Sequence, residues 1–353
     1  MRVLVCGVGG IGGTIAGYLV RREHSVVAID PWHAHVEAMN AKGLLVESDA
    51  GAFRVKLPAL LPEEHDRVGE KVDLAVIAMK AYDTEMAYRW TAPHLAAGGT
   101  FVCAQNGITE GLVDALSPGR VIGCAVTLAA EFAEPGVVKR TSPEGWPAFT
   151  IGELNGGSSP RVGTVASALE AVGEVTVSDD VAAHLWSKLA RNAMTNGLAA
   201  LTGGTTRVLW SDPMYHPFVI TAAAEAARVA RAAGVTISPI AGRITAEALL
   251  GALDGDIRER RELARLLTEF ALERTAERDH LPSMLQDAMK GRRTEIDDIN
   301  GHVVRQGRIL GIQTPVNKRI VELVHALEHG ELAIDPGNLD LLQSSLGEIA
   351  PAG

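Results

Sequence analysis

Three polar residues at four-residue intervals are the best candidates for acid–base chemistry in this chain. They are Lys188, Asn192 and Asn196, in the segment HLWSKLARNAMTN at 184–196. On a helix, successive members of such a set differ by about 40° around the axis, so all three share one face. Amides suit an apolar helix only where they bind something, and a partly desolvated lysine can act as a general acid. The alternative interpretation is a solvated helix face.

A second polar cluster covers residues 282–287 and 291–301. Thr294 is predicted to cap a helix over 295–310, with Asp297 at the capping-box distance. Glu295 then lies in the first turn, where the helix dipole favours a carboxylate. A well-capped helix start explains Thr294 and Asp297, but it leaves the polar residues of 282–287 unexplained.

A glycine-rich segment, GVGGIG, follows the first predicted strand and opens a helix. In that position the first glycine permits a tight turn, the second lets the backbone approach a pyrophosphate, and the third allows close packing of helix on strand. The helix N-terminus then faces the phosphates. A plain glycine-rich turn is the alternative. The predicted dinucleotide-binding residues are Gly7, Val8, Gly9, Gly10, Ile11 and Gly12.

Asp30 ends the second predicted strand, near the position from which a carboxylate bonds the ribose hydroxyls. A 2′-phosphate beside it would be repelled by about 4 kcal/mol for one unit-charge pair at ~4 Å and an effective dielectric of 20. No arginine follows in Pro31–His33, so the sequence favours NAD over NADP. NADP stays an alternative, because Arg21 and Arg22 are close in sequence and could bind a 2′-phosphate. The alternative role for Asp30 is to cap the loop.

Residues 1–178 alternate between short apolar runs and helical periodicity. Nearly continuous apolar strands are typical of a parallel sheet covered on both faces, and strand–helix alternation predicts a doubly wound fold. Between 120 and 178 we expect mixed strands that complete the sheet edge, with one helix near 161–172. The expected strands of that stretch are Val121–Leu128, Val137–Arg140, Phe149–Gly152 and Val175–Ser178.

From residue 178 onward the pattern is almost entirely helical. The sequence therefore predicts a dinucleotide-binding domain over 1–178, a helical substrate or dimerisation domain over 179–330, and a C-terminal tail over 331–353. The long alanine-rich helix is assigned to the domain core, with a homodimer interface as the alternative. The expected helices are 178–195, 213–233, 240–252, 257–279, 295–310 and 316–329.

The composition of the 353 residues excludes several classes of protein. Hydrophobic residues make up 47% and charged residues 22%, as in a packed globular protein. A net charge of −10 and 4% aromatic residues argue against a nucleic-acid partner. No apolar run approaches the roughly 18 residues of a membrane span, and the N-terminus lacks the apolar core of a signal peptide. We therefore expect a cytoplasmic protein with no membrane partner.

Neither metal nor disulfide chemistry is predicted. The eleven histidines are scattered, and His33 and His35 have no third ligand at a matching spacing. The cysteines lack a C-x-x-C spacing and are expected to be small buried hydrophobic residues. They are Cys6, Cys103 and Cys124.

In kind and order, the motifs of this chain resemble those of the ketopantoate reductase (2-dehydropantoate 2-reductase) family. The match extends from residue 7 to residue 317. Each motif alone is weak, but together they are highly specific. The matching segments are GVGGIG at 7–12, MKAY at 79–82, QNG at 105–107, WSKLARNAMTN at 186–196, ALTG at 200–203, SMLQD at 283–287, TEIDDING at 294–301 and GIQTPVN at 311–317.

The resemblance implies an α/β Rossmann-type dinucleotide-binding domain followed by an all-α domain, with the active site in the cleft between them. It also implies NAD(P)-dependent reduction of a 2-oxo acid to a 2-hydroxy acid. Lys188 would be the general acid at the keto oxygen, and Glu295 would orient the substrate at its hydroxyl. The remaining implied residues are Asn192, Asn196 and Ser283 for substrate, Asn106 for cofactor and substrate, and Lys80 for the cofactor.

Two departures from the family pattern leave open other substrates and another cofactor. Asp30 stands where the NADP enzymes of the family carry a basic residue, and extra sequence lies around 50–70 and at the C-terminus. A catabolic NAD-dependent dehydrogenase of another hydroxy acid, similar to the D-mandelate enzymes of the family, is therefore the alternative. A non-catalytic dinucleotide sensor is the remote one, because it needs no pair like Lys188 and Glu295.

Overall fold

A computed structural model describes residues 1–273 and 281–347. The chain forms two compact units, Met1–Ala182 and Ala183–Gly353. The first unit contains strands and helices, and the described part of the second is helical apart from one isolated bridge between Ile240 and Ile244. Within the described residues, no helix is long and apolar enough to cross a membrane.

Twelve strands form two sheets in the first unit. Most strands of the larger sheet are buried along almost their whole length, which explains their nearly continuous apolar sequences. The strands are β1 Arg2–Cys6, β2 Ser25–Ile29, β3 Leu44–Ser48, β4 Gly51–Val55, β5 Ala59–Leu60, β6 Val72–Ile77, β7 Leu95–Cys103, β8 Val121–Val126, β9 Ala130–Glu134, β10 Val137–Arg140, β11 Pro147–Glu153 and β12 Glu174–Val177.

The larger sheet has the order β12-β11-β8-β7-β6-β1-β2-β5. Its six strands from β5 to β8 are mutually parallel, and β11 pairs antiparallel with β8. Numbered by their order along the chain, those six strands run 3-2-1-4-5-6, which is the order of a dinucleotide-binding sheet. The order in which strands are added to the sheet reverses between β1 and β6, and ligands bind at the carboxyl ends of strands beside such a point. The predicted Rossmann-type fold is confirmed.

Five α-helices connect these strands. Short 3-10 helices at Pro62–Val68, Ala81–Asp83 and Ala92–His94 complete the unit. The α-helices are α1 Gly10–Arg21, α2 His33–Lys42, α3 Thr84–Thr91, α4 Glu110–Leu116 and α5 Pro160–Leu169.

The smaller sheet, of order β4-β3-β10-β9, covers one face of α1. The strand predicted over Val137–Arg140 lies in this sheet and not at the edge of the larger one, so that expectation is wrong. The reason is the small residues of α1. A Cβ on Gly13 would lie 2.7 Å from Val138, and one on Gly17 would overlap Val46. The two glycines let the smaller sheet pack closely against the helix.

The second unit consists of helices, together with a 3-10 helix at Pro336–Leu342. Residues 274–279 of the helix predicted over 257–279 lie outside the described part of the chain. The helices are α6 Val181–Ala193, α7 Asn196–Thr202, α8 Thr206–Ser211, α9 His216–Ala232, α10 Ala246–Leu253, α11 Ile257–Glu273, α12 Ser283–Met289, α13 Asn300–Leu310, α14 Pro315–Glu328 and α15 Gln343–Gly347.

The segment predicted as a C-terminal tail packs onto this unit as far as residue 347. The backbone N–H of Asp335 donates to the carbonyl of Leu201 at 3.0 Å, and Nδ2 of Asn338 donates to the same oxygen at 2.9 Å. Leu339 and Leu342 are buried. These contacts fix the segment against the end of α7.

Candidate active site

The glycine-rich loop between β1 and α1 has the shape that a dinucleotide requires. Gly7 has a φ of 87°, and a Cβ there would lie 2.7 Å from the backbone nitrogen of Met79. A Cβ on Gly12 would overlap the carbonyl oxygen of Gly7. A Cβ on Gly9, by contrast, would meet no atom of the described chain within 4 Å. Only the second glycine of the motif therefore faces open space, as expected where a pyrophosphate approaches the backbone.

The third glycine of the loop, Gly10, lies against a neighbouring strand. A Cβ at Gly10 would lie 2.7 Å from the carbonyl oxygen of Ala130, the first residue of β9. Gly9 caps α1 and has no side chain to satisfy the first N–H groups of the helix. Those N–H groups and the positive end of the helix dipole suit a phosphate, so the loop fits the group that the motif predicts.

Two buried side chains hold the backbone of Val8 within this loop. The carboxylate of Asp30 accepts a hydrogen bond from the Val8 N–H at 2.8 Å, and it also accepts one from the N–H of Trp32 at 2.9 Å. Nε2 of His35 lies 2.9 Å from the Val8 carbonyl, while Nδ1 accepts the N–H of Gly136 at 2.8 Å. The proton of His35 must therefore sit on Nε2 and point at Val8.

These contacts add to what the sequence predicted. Asp30 stands at the end of β2 as expected, and it also has the loop-capping role that was the alternative reading. The role of His35 was missed because H-A-H was considered only as a metal pair. Across residues 1–273 and 281–347, no group of three or more His, Cys, Asp or Glu side chains could hold a metal ion.

Lys80 and Asn106 follow neighbouring parallel strands, β6 and β7, at the edge of the sheet where the glycine loop begins. Both side chains are half-buried. Gln105 joins the two loops, since its Nε2 donates to the Met79 carbonyl at 2.9 Å and to Thr84 Oγ1 at 3.0 Å. Gln105 is a second residue that we missed, although the Q-N-G motif contains it. Every predicted cofactor-side residue thus lies in the loops after β1, β2, β6 and β7 or in the first turn of α1.

In the helical unit, Lys188 and Asn192 lie on α6, one turn apart and half-buried. Asn196 is buried and begins a separate helix, α7, because α6 ends at Ala193. The expectation of one continuous helix to about Thr195 is therefore wrong at its end. The hydroxyl of Thr195 donates to the carbonyl of Arg191 at 2.9 Å, a local bond of the kind that bends a helix.

Glu295 is buried, but in a turn rather than in the first turn of a helix. The predicted capping by Thr294 is wrong, since α13 begins at Asn300 and the Thr294 hydroxyl accepts the N–H of Ile296 at 3.2 Å. Ile296 and Ile299 are fully covered, and the backbone makes a single turn there, in which the Ile299 N–H donates to the Glu295 carbonyl at 3.0 Å. The next bond is wider, from the Gly301 N–H to the Ile296 carbonyl at 2.9 Å, so the regular helix begins only at Asn300.

The predicted substrate-side residues sit on elements that pack together. A Cβ on Gly197, the neighbour of Asn196, would lie 3.3 Å from Ile296 in the turn that carries Glu295. Helix α12, which begins at the exposed Ser283, packs against α7. The helical unit therefore brings the elements of Asn196, Ser283 and Glu295 into contact.

His325 supports the Glu295 turn through two carboxylates. Its Nε2 lies 3.0 Å from Asp297 and its Nδ1 lies 3.1 Å from Glu328, while Glu328 also accepts the N–H of Thr294 at 2.7 Å. Partial burial alone would lower the pKa of His325, but the hydrogen bonds to Glu328 and Asp297 outweigh it and raise the pKa. His325, which belongs to α14, thus links the Glu295 turn to that helix.

We expect the His325→Gln variant to be destabilised more at about pH 6 than at about pH 9, relative to the native chain. A histidine whose pKa is raised on folding stabilises the protein fully below its unfolded pKa, and this stabilisation is lost as the pH rises through the folded value. Thermal melting at both pH values measures the effect. The exposed His329→Gln is the matched control, and an equal loss for His325→Gln at both pH values would contradict the assignment.

The fold and the loops define the class of this protein: it is a Rossmann-fold oxidoreductase with a helical second domain. Residues 3–156 match the family model described as ketopantoate reductase PanE/ApbA, and residues 180–328 match the model of its C-terminal domain. The chain belongs to the ketopantoate reductase family, which confirms the resemblance found in the sequence.

Similar proteins extend over nearly the whole chain. A 2-dehydropantoate 2-reductase of Halobacterium salinarum is 29% identical over 92% of this chain and 98% of its own length. A PanE/ApbA family ketopantoate reductase from Ralstonia eutropha JMP134 has a TM-score of 0.77 at 27% identity, covering 94% of this chain and 99% of its own. D-mandelate dehydrogenase with NADH and anilino(oxo)acetate shares the fold, with a TM-score of 0.78 at 24% identity and coverage of 94% and 99%.

Proposed function

We propose that this protein reduces a 2-oxo acid to the 2-hydroxy acid with a nicotinamide dinucleotide, and that 2-dehydropantoate is the first substrate to test. The observation that carries the proposal is the set of side chains in the helical unit. A half-buried Lys188 lies one turn from Asn192, and a buried Glu295 lies in a turn packed against the helix of Asn196. An ammonium, two amides and a carboxylate are suited to a substrate that carries a keto group, a carboxylate and a hydroxyl.

When bound, the reduced dinucleotide supplies a hydride to the carbonyl carbon. Negative charge then grows on the keto oxygen, where the Lys188 ammonium stabilises it and delivers a proton. The lysine leaves this step neutral and regains a proton from water. Asn192, Asn196 and Ser283 donate hydrogen bonds that hold the substrate without titrating, and Glu295 accepts one from its hydroxyl.

The proposal is tested by following the absorbance of the reduced cofactor while the protein is mixed with each member of a panel of 2-oxo acids. We expect oxidation of NADH or NADPH to depend on both the 2-oxo acid and the protein. If neither cofactor is oxidised with any member of the panel, the reductase proposal fails and the non-catalytic sensor takes its place.

We propose NAD as the preferred cofactor, on the charge around the end of β2. Besides the Asp30 carboxylate, Glu63 lies near by, 3.9 Å from His33 of α2. Two carboxylates there would disfavour a 2′-phosphate, and no arginine or lysine occurs in residues 31–34. NADP remains the alternative.

Replacing Asp30 by alanine should shift the ratio of kcat/KM values for NADPH and NADH toward NADPH by at least about tenfold, which corresponds to about 1.4 kcal/mol of relieved repulsion. The same substitution removes the hydrogen bond to Val8, so the values for both cofactors should also fall. His35→Ala is the matched control, since it frees the other side of Val8 without changing any charge. An unshifted ratio in Asp30→Ala, or an equal shift in His35→Ala, would remove Asp30 from cofactor selection.

A second candidate, a catabolic NAD-dependent dehydrogenase of another 2-hydroxy acid, is favoured by the same carboxylate at Asp30. The two candidates differ in substrate and direction. Comparison of kcat/KM for 2-dehydropantoate with that for aromatic and aliphatic 2-oxo acids, in both directions, separates them.

We also propose a cytoplasmic protein that forms a homodimer. The three cysteines are buried as thiols, with no disulfide among the described residues, as suits a reducing compartment. The helical unit exposes large apolar side chains, among them Met214, Ile257 and Leu272, which a second copy of the chain would have to cover if they lie in the interface. Light scattering would give twice the chain mass of 37.3 kDa for a dimer, and a single chain mass would contradict it.

A further inference from the structure

The helical unit contains a buried polar network that the proposed mechanism does not use. It consists of Glu225 on α9, Asn317 on α14 and Asn300 at the start of α13, all of them almost completely covered. Buried polar side chains are costly unless their hydrogen bonds are made, so the arrangement has to be precise to be retained.

Glu225 fixes the beginning of α14. Its Oε1 accepts the N–H of Val316 at 2.9 Å, and its Oε2 accepts the N–H and Nδ2 of Asn317 at 2.9 and 2.7 Å. These backbone groups belong to the first turn of α14, which has no intrahelical acceptor for them. Nδ2 of Asn317 also donates to the Ala222 carbonyl at 3.0 Å. The amide of Asn317 is therefore held in one orientation, with Oδ1 facing Asn300.

Asn300 connects Asn317 to the elements of the candidate active site through hydrogen bonds. Its Nδ2 donates to Oδ1 of Asn317 at 2.9 Å and to the carbonyl of Ala193 at 3.0 Å. Ala193 is the last residue of α6, directly after Asn192. Asn300 is the first residue of α13, which directly follows the turn that carries Glu295. One amide group thus joins the end of the lysine helix to the end of the glutamate turn.

The packing around Asn300 leaves little freedom for this junction to shift. A Cβ on Gly197 would overlap Ile320 and would lie 3.3 Å from both Oδ1 of Asn300 and Ile296. The helix that begins at Asn196 therefore contacts Asn300 at the closest approach that a glycine allows.

We infer that Asn300, held by Asn317 and Glu225, is a positioning residue that sets the placement of the α6 helix end relative to the Glu295 turn. The inference rests on the proposed function, because its consequence is the alignment of a 2-oxo acid between Lys188 and Glu295. Misplacement of a reacting group by about 1 Å can lower a rate by about 10²-fold. Asn300 would act through these two residues and not on the substrate.

The test is Asn300→Ala, with Asn338→Ala as the matched control. Asn338 is also buried, and its Nδ2 likewise donates to two acceptors, the carbonyls of Leu201 at 2.9 Å and Ala333 at 2.8 Å. Both variants should melt at lower temperature. Only Asn300→Ala should lower kcat/KM for the 2-oxo acid, by about 10²-fold, with the dissociation constant of the dinucleotide unchanged. The deuterium isotope effect from 4-deuterated NADH or NADPH should also rise, because hydride transfer becomes rate-limiting.

Glu225→Gln gives a second variant of nearly unchanged size, in case Asn300→Ala does not fold. It replaces an acceptor of the network with a donor and should produce a smaller effect in the same direction. If the network variants lose stability but keep the kcat/KM and isotope effect of Asn338→Ala, the positioning role is wrong. If the native chain reduces no 2-oxo acid with either cofactor, the proposed function fails first, whatever the variants do.

Discussion

Replacing Lys188 by alanine should lower kcat by about 10²–10⁴-fold, the usual contribution of a positioned general acid. The substitution removes the only proton donor assigned to the keto oxygen and the positive charge assigned to stabilise it, so the transition state loses more than the ground state. Lys188 lies on α6, whereas the glycine loop lies in the other compact unit. The dissociation constant of NADH, measured by fluorescence titration, should therefore stay close to the native value.

Two further variants separate the possible reasons for such a loss. Lys188→Arg keeps the charge but cannot give up its proton, so it should recover part of the electrostatic effect and none of the proton transfer. Lys318→Ala, on an exposed lysine of α14 in the same unit, should leave kcat unchanged. A small primary amine in the buffer should rescue Lys188→Ala and not Lys188→Arg. Native turnover in Lys188→Ala would remove this lysine from the mechanism.

The core of the first domain was predictable, because its buried strands have nearly continuous apolar sequences. β1, β6 and β8 are apolar along almost their whole length, and the glycine motif fixed which strand comes first. The sheet to which β10 belongs was not predictable, because Val137–Arg140 is a four-residue strand whose apolar residues suit either sheet. Its partner is decided by Gly13 and Gly17 of α1, whose missing side chains make room for the smaller sheet.

Residues of the candidate site were predictable where their role follows from their own side-chain type and spacing. They were not predictable where their role is to bind the backbone of a residue that is distant in sequence. Lys188 and Asn192 occupy the expected helix, because their spacing alone determines their relation. His35 and Gln105 act by holding carbonyl groups of distant residues, and no spacing rule reports such a contact. Glu295 was placed in a helix because a capping pattern preceded it, whereas the backbone makes one turn and a wider bond from Gly301 to the Ile296 carbonyl before the helix begins.

The second large effect is expected in the glycine loop, where two glycine-to-alanine substitutions should have opposite consequences for stability and for cofactor affinity. Gly12→Ala should destabilise the protein, because the new Cβ would overlap the carbonyl oxygen of Gly7, a backbone atom that cannot rotate away. Overpacking of this kind costs about 1–3 kcal/mol or more, which exceeds the gain of about 1 kcal/mol from replacing a helical glycine by alanine. Urea unfolding of the cofactor-free protein measures the net loss.

Gly9→Ala should leave the unfolding free energy within about 0.5 kcal/mol of the native value, because its Cβ would meet no described atom within 4 Å and its φ of −63° suits alanine. The same Cβ would project into the space that a pyrophosphate needs, so the dissociation constant of NADH should rise by at least about tenfold. Native affinity in Gly9→Ala would place the phosphates elsewhere, whereas native stability in Gly12→Ala would mean that β1 and α1 can move apart. A stable Gly9→Ala that has lost NADH, beside an unstable Gly12→Ala, would separate the glycine that faces the ligand from the one that holds the fold.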